Sequence, residues 1–378
     1  MIEQFPIDSA GFTEDERWML RAVAVGSQGT RAVRPNPLVG CVLVRDDQEI
    51  ASGFHAQSGH AHAEVAALTA AGPKARGATA YVTLEPCSHQ GRTGPCTQAL
   101  ISAGISRVVY GASDPNPLAQ GGAEVLRRAG LAVCGGVALQ ACRRLAEVFL
   151  TNQEQSRSFI QLKLAMTLDG RIAARDGTSQ WITSESARLQ VHAMRANSDA
   201  ILVGSGTALA DDPQLSVRNI PNFTGKQPIR LLLDRRLRLP ADALLARTEQ
   251  QATWVLTTQA QLASAQAEKL AKQGVQLIAL PPDGSLKQVL ADLYQRGLCH
   301  ILVEGGATVA AALLREDLVD RLDLMIAPKI LGDGPMAFAP MGIDTIARAQ
   351  QWHFAQAQPL APDLWTILYR SRDVHRPD

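Results

Sequence analysis

The chain has 378 residues, 46% of them apolar and 19% charged, a folded composition too long for one ordinary core, so two domains are expected. No apolar run approaches the ~20 residues of a membrane helix, and 37 Lys plus Arg against 36 Asp plus Glu leave a formal net charge of +1, without the basic excess of a dedicated nucleic-acid binder. The start Met1-Ile2-Glu3-Gln4-Phe5-Pro6 lacks a basic region and an apolar core, so no secretory signal is expected and the plain reading is a cytoplasmic enzyme.

The first helix is signed by Thr13 and Glu16, a Thr-x-x-Glu capping box, and by the apolar stripe of residues 17–24 before Gly26. Leu38 to Val44 and Ile50 to Phe54, broken at Asp46-Asp47, read as a hairpin. A helix is expected from His62 through Leu68, a buried strand over 80–84, a helix over 97–103, a strand over 107–110 and a helix over 123–129. Strands alternating with helices indicate an α/β layer domain. The polar stretch Thr151 to Ser158 is the linker candidate, giving domains 1–150 and 151–378. Beyond it, strand-like runs (159–166, 200–203, 229–233, 254–256, 275–280, 301–303, 322–326, 364–369) alternate with helix-like ones (184–196, 260–272, 286–295, 308–314).

Chemistry concentrates in the first half. His62-Ala63-Glu64 is followed by Pro86-Cys87 and then Cys96. A catalytic zinc takes three protein ligands and keeps its fourth position for water, which it acidifies toward neutrality. His62, Cys87 and Cys96 supply that count. Glu64, carboxylate rather than ligand, suits a proton shuttle. His62 and Glu64 would diverge in mid-helix; at a first turn, after Gly59, both reach one site. Cys96 directly precedes the helix expected from Thr97, and a helix N-terminus favours a thiolate. The order His-x-Glu, Pro-Cys, Cys matches the zinc deaminase signature. A closed structural zinc, with His89, His55 or His60 as fourth ligand, is the alternative. Nucleobase deaminases have Cys-x-x-Cys, whereas here eight residues (88–95) intervene. In that loop His89 and Arg92 read as phosphate or ring contacts, or as ordinary solvated side chains. The other cysteines (41, 134, 142, 299) read as core residues rather than disulfides.

Together Asn36-Pro37-Leu38-Val39-Gly40, His60-Ala61-His62-Ala63-Glu64, Thr83 to Thr93 and Asp114-Pro115-Asn116-Pro117 resemble the bifunctional riboflavin-biosynthesis deaminase/reductase family. That resemblance implies a cytidine-deaminase-like α/β/α domain in which Asn36, His55, His89, Arg92 and Asn116 line the pyrimidine and ribose-phosphate pocket. Gly94, where proline is usual, and Gln120-Gly121-Gly122 depart from the pattern.

The second half has no Gly-x-Gly-x-x-Gly, so a Rossmann fingerprint is absent. Glycines do occur at two strand-to-helix junctions, Gly204-Ser205-Gly206 and Gly305-Gly306, each a phosphate-holding helix start or a tight structural turn. The resemblance continues through Lys163 to Arg171, Ser179-Gln180-Trp181-Ile182, Asp211-Asp212-Pro213 and Glu304-Gly305-Gly306. It implies a dihydrofolate-reductase-like α/β domain. There Ala165, Trp181, Thr207, Asp211 and the turn Gly306, Ala307, Thr308, Val309, Ala310, Ala311, Ala312 contact NADPH, and Ser179, Arg195, Leu215, Arg218 and Glu304 contact substrate. Arg195 and Arg218 are suitable forks for a ribose phosphate, or plain surface arginines; Trp181 beside Ile182 is otherwise a core residue.

The implied function is zinc-dependent deamination of 2,5-diamino-6-(5-phosphoribosylamino)pyrimidin-4-one, then NADPH-dependent reduction of the ribosyl group of the resulting aminouracil to ribityl. The expected cofactors are one Zn2+ and NADPH, and the expected partners a small-molecule substrate and further copies of the chain, as dimer or tetramer, with no nucleic acid or membrane. One rival is a nucleic-acid or nucleoside deaminase fused to an unrelated domain, opposed by the charge balance and the long Cys–Cys loop. Another is a sensor or scaffold with structural zinc, opposed by Glu64.

Overall fold

The capping box forms as the pattern predicts: Thr13 Oγ accepts the Glu16 amide at 3.3 Å and Glu16 Oε2 accepts the Thr13 amide at 2.8 Å, opening α1 (Glu14–Gly26). The computed structural model describes residues 11–90, 94–221, 223 and 225–371. The chain divides into two compact units, the first ending at Ser156 and the second beginning at Arg157.

In the first unit β1 (Gly40–Arg45) and β2 (Gln48–Phe54) make the expected hairpin. Asp46 and Asp47 both take left-handed φ (54° and 55°), the geometry of a two-residue turn that matches strand twist. After α2 (Ala63–Ala71) come β3 (Thr79–Leu84), α3 (Cys96–Ser102), β4 (Arg107–Ala112), α4 (Gly122–Arg128), β5 (Ala132–Cys134), α5 (Leu139–Leu145) and α6 (Glu147–Gln155). The sheet order is β2-β1-β3-β4-β5, with β3, β4 and β5 parallel. Alternation along the strands builds two apolar layers. Val42, Val44, Tyr81 and Val109 pack with Met19 and Val23 of α1 and Cys142 and Leu150 of α5 and α6. Cys41, Leu43, Ala80, Val82 and Val108 pack instead with Ala63 and Ala67 of α2, Leu100 of α3 and Leu126 of α4. The result is the α/β/α layering expected.

The second unit is a nine-stranded sheet. It runs through β6 (Phe159–Thr167), α7 (Glu185–Ala196), β7 (Ala200–Gly204), α8 (Ser205–Asp211), β8 (Ile229–Leu233), β9 (Thr253–Thr257), α9 (Ala265–Lys272), β10 (Gln276–Ala279), α10 (Leu286–Gln295), β11 (His300–Val303), α11 (Ala307–Arg315), β12 (Arg321–Ala327), β13 (Trp352–Leu360) and β14 (Asp363–Arg370). The order is β10-β9-β8-β7-β11-β6-β12-β14-β13, parallel except for the two pairs made by β14. Its carboxyl ends at β6, β11 and β7 form one edge, where parallel sheets place their ligands.

Two expectations change. The polar linker is not a solvent-exposed tether: α6 runs through Gln155 with Asn152 buried, and Ser156 ends it in a left-handed conformation. Arg157 is buried against Asp320 at 2.7 Å, and the Ser158 hydroxyl donates to the Leu298 carbonyl at 2.7 Å. Polarity there is satisfied by tertiary partners rather than by water. The helix expected over 260–272 breaks at Ser264, whose hydroxyl accepts the Ala267 amide and starts α9. Five elements, β5, α5, α6, α8 and β13, had no clear sequence signal.

Candidate active site

His62 is the residue before α2, in extended conformation (φ −70°, ψ 165°), while Glu64 lies in the first turn. This boundary lets both side chains serve one site. Cys87 follows β3 through Glu85-Pro86, and Cys96 is the first residue of α3. His62 Nδ1 lies 3.2 Å from Cys96 Sγ and 3.6 Å from Cys87 Sγ, and the three ligand atoms are all within 4.8 Å of one another. One imidazole nitrogen and two thiols are a donor set suited to zinc. Among the described residues no fourth His or Cys joins them. His55 cannot: its Nδ1 donates to the Ala61 carbonyl at 3.0 Å and its Nε2 accepts from Asn36 Nδ2 at 3.1 Å. The site is therefore open, as a catalytic centre requires.

The helix start acts on the other cysteine than the spacing suggests. The Cys96 amide points at Cys87 Sγ, 3.4 Å away. Hydrogen bonding from Cys96 and His62 pulls the Cys87 thiol down against its burial, toward the thiolate that a metal ligand must be. Glu64 is buried, which raises its carboxyl to about 7.

These groups open onto a cavity of about 370 Å³ that Asn36, His55, His89 and Asn116 also line. Arg92 falls outside the described residues. The cavity contains acids to which the sequence reading gave no role. Asp114 Oδ1 accepts the Asn116 amide at 2.9 Å, and its burial raises it to about 6. Glu85 Oε1 accepts the Ala123 amide at 2.9 Å, tying the Cys87 turn to the first turn of α4. Gly122 is required there, since any Cβ would collide with the Pro86 carbonyl oxygen. The departure at Gln120-Gly121-Gly122 thus has a packing reason. The signal for Glu85 and Asp114 was their place beside Pro86-Cys87 and Asn116.

In the second unit a cavity of about 1020 Å³ brings together Ala165, Ser179, Trp181, Arg195, Thr207, Asp211, Leu215, Arg218, Glu304 and Gly306. Trp181 is 62% exposed rather than core, with the Arg188 guanidinium 4.4 Å from its ring centroid. Gly306 lines the cavity, and Ala307 to Ala312 follow it in α11, where the side chains of Val309, Ala310 and Ala311 pack in the core, so what this turn offers a ligand is the backbone N–H groups of its first residues. Arg195 lines the cavity too, with its guanidinium already paired. Its Nε and Nη2 donate to Glu304 at 2.6 and 3.0 Å, and its Nη1 donates to the Ser216 carbonyl at 3.0 Å. Arg218 is exposed and donates through Nη1 to Gln214.

Lys163, given no role from sequence, stands 3.5 Å from Glu304. Burial alone would raise Glu304, but Arg195 and Lys163 hold it at about 2. Its signal was the Lys163 to Arg171 motif.

Comparison with known proteins places both units. The profile of the cytidine and deoxycytidylate deaminase zinc-binding region matches residues 12–112, and that of the RibD C-terminal domain matches residues 158–366. Riboflavin biosynthesis protein RibD of Aquifex aeolicus is 42% identical over 94% of this chain and 98% of its own length; that of Escherichia coli is 40% identical over 93% and 98%. The structure of Acinetobacter baumannii RibD superposes with a TM-score of 0.82 at 39% identity, covering 95% of this chain and 99% of the other. The Thermotoga maritima protein described as a diaminohydroxyphosphoribosylaminopyrimidine deaminase/5-amino-6-(5-phosphoribosylamino)uracil reductase gives 0.82 at 36% identity, covering 94% and 99%. With a zinc-type His/Cys/Cys centre in one unit, a charged cavity in the other and relatives aligned along nearly their whole length, the chain belongs to the RibD family of riboflavin biosynthesis proteins.

Proposed function

We propose that the chain deaminates 2,5-diamino-6-(5-phosphoribosylamino)pyrimidin-4-one in its first unit and reduces the ribosyl group of 5-amino-6-(5-phosphoribosylamino)uracil to ribityl in its second. The observation that carries the reading is a three-ligand centre with a buried carboxyl beside it and no fourth ligand among the described residues.

His62, Cys87 and Cys96 hold the zinc, and its chemistry when bound is to ready a water for attack on the amine-bearing ring carbon. Glu64 would carry the two protons of the attacking water, one to the ring nitrogen next to the attacked carbon and one to the departing ammonia. Asn36, His55, His89 and Asn116 orient the pyrimidine and its ribose phosphate, with Arg92 assigned on the sequence alone. Asp114 positions Asn116 through its backbone amide.

In the second unit NADPH supplies hydride when bound. Ala165, Trp181, Thr207, Asp211 and the start of α11 from Gly306 take the cofactor. Ser179, Leu215, Arg218 and Glu304 take the substrate. Glu304, ionised and aimed into the cavity, accepts hydrogen bonds from ribose hydroxyls, and Arg195 fixes its orientation. Arg218 is the exposed cation for the substrate phosphate. The activities divide as the two compact units divide the chain. No helix among the described residues is long and apolar enough to cross a membrane; the balanced charge fits a small-molecule substrate rather than a nucleic acid, and a cytoplasmic dimer or tetramer is part of this proposal.

The test supplies the phosphoribosylaminopyrimidine to zinc-loaded protein and follows ammonia release and NADPH oxidation together. Failure to release ammonia overturns the first assignment. Failure to oxidise NADPH when the deaminated intermediate is supplied overturns the second.

A further inference from the structure

We infer that Arg188 of α7 is a positioning residue for the reductase: its guanidinium, lying over the Trp181 ring, holds that indole where NADPH meets it. The inference rests on the reading above that gives Trp181 to the cofactor. The wall that carries Trp181 has to be held from outside. Residues 179–183 all line the reductase cavity, and none of them belongs to a helix or a strand. Trp181 is exposed, so apolar packing does not fix its ring. An indole free to turn would lose that freedom, and some affinity with it, each time a cofactor bound.

Two contacts hold the backbone of this wall. The Ser184 amide donates to Oδ2 of buried Asp363, the first residue of β14, at 2.7 Å. Lys329, two residues beyond β12, donates through Nζ to the Trp181 carbonyl at 2.7 Å. Neither touches the indole. Arg188 does: its Cζ lies 4.4 Å from the ring centroid, within the range of a cation–π contact. The same guanidinium donates through Nη1 to the Thr183 carbonyl at 2.8 Å, so it ties the ring to the wall's own backbone. It covers one face of the indole and leaves the other for a ligand. Its base is firm, because Ser184 caps α7 by accepting the Ala187 amide at 3.3 Å and Ala187 is buried in the core. Among the described residues no carboxylate pairs with Arg188, so its charge is directed at the wall. Arg195 lies seven residues on, two turns along the same face of α7, and also lines the cavity. Its guanidinium holds Glu304. One helix thus sends two cations to one cavity, the first to steady the cofactor's indole and the second to steady the substrate's carboxylate.

The test is a double-mutant cycle on the full chain, with NADPH binding measured by calorimetry for wild type, Arg188→Ala, Trp181→Ala and the double variant. Arg188→Ala should raise the Kd for NADPH about three- to tenfold, the worth of one cation–π contact. With Trp181 already removed, the same substitution should change Kd less than about twofold, because a residue acting through another has nothing left to act on. A merely structural role would weaken binding equally in both backgrounds, and so would a direct contact between Arg188 and the cofactor. Equal losses therefore overturn the inference and leave the reductase reading standing, as does an unchanged Kd in Arg188→Ala. If Arg188→Ala does not fold, Arg188→Gln replaces it in the cycle: glutamine still offers a donor to Thr183 but no cation to the ring, and the same outcomes decide. If Trp181→Ala alone leaves Kd unchanged, Trp181 is not a cofactor contact and the inference falls with that assignment. If the wild type binds no NADPH, the reductase reading itself fails.

Discussion

A glutamate beside the chemistry of each unit, Glu64 in the first and Glu304 in the second, is withdrawn from solvent, and the two end in opposite states. Glu64 sits against a histidine and two sulfurs in an apolar setting, and burial raises it to about 7. Glu304 is equally removed from solvent, yet Arg195 and Lys163 hold it at about 2. One residue type therefore serves two purposes, set by neighbours alone. Near neutrality a carboxyl both takes and gives a proton; locked as an anion it can only accept hydrogen bonds and orient.

The contrast breaks most completely at the metal. Cys96→Ala should remove most of the zinc and abolish ammonia release, because two ligands do not make a stable site. Elemental analysis would show full occupancy if the assignment of Cys96 were wrong. Reduction of supplied intermediate should continue.

Glu64→Gln is the sharper cut. Shape and zinc should survive, while deamination falls ~10²–10⁴-fold with loss of the proton carrier. NADPH oxidation on supplied intermediate should stay near its normal rate. Loss of both reactions would merge the two sites and defeat the two-unit reading.

Glu304→Ala tests the anion. Removing it strands Arg195 and Lys163 in a buried pocket, which should cost about 3–5 kcal/mol of second-unit stability, read in denaturant unfolding. The pH dependence has a definite sign. A depressed folded-state carboxyl contributes stability that is fully present above its ordinary value of 4.5 and lost as pH falls toward about 2. Wild-type protein should lose that stability on acidification, and the variant should show a shallower dependence. Equal slopes would mean that Glu304 is not the ionised partner.

The smallest effect is a packing one. Gly122→Ala forces a methyl into the Pro86 carbonyl and should destabilise the first unit by roughly 1–3 kcal/mol, loosening zinc through Cys87. Gly306→Ala, whose Cβ would meet Thr207 Oγ at an ordinary 3.4 Å, should leave stability nearly unchanged. Thermal unfolding of the pair would separate them.

By itself the sequence determined the elements with strong local signals and the identity of the metal ligands. The Thr13/Glu16 box, the Asp46-Asp47 turn and the apolar strands depend on neighbours a few residues away. His62, Glu64, Cys87 and Cys96 are legible for a related reason: zinc chemistry demands those residue types, and few arrangements supply them. What only the tertiary structure decided involves partners distant in sequence. Ser158 looked like linker because nothing nearby shows that Leu298 accepts its hydroxyl. Arg195 looked like a phosphate fork because Glu304, 109 residues away, already holds its guanidinium. That the side chains of Val309 to Ala311 point inward is shown only by the sheet beneath α11. That the Cys96 amide points at Cys87 Sγ is likewise shown only by the fold. A side chain's type is written in the chain, but the group that claims its hydrogen bonds or its charge is chosen by packing.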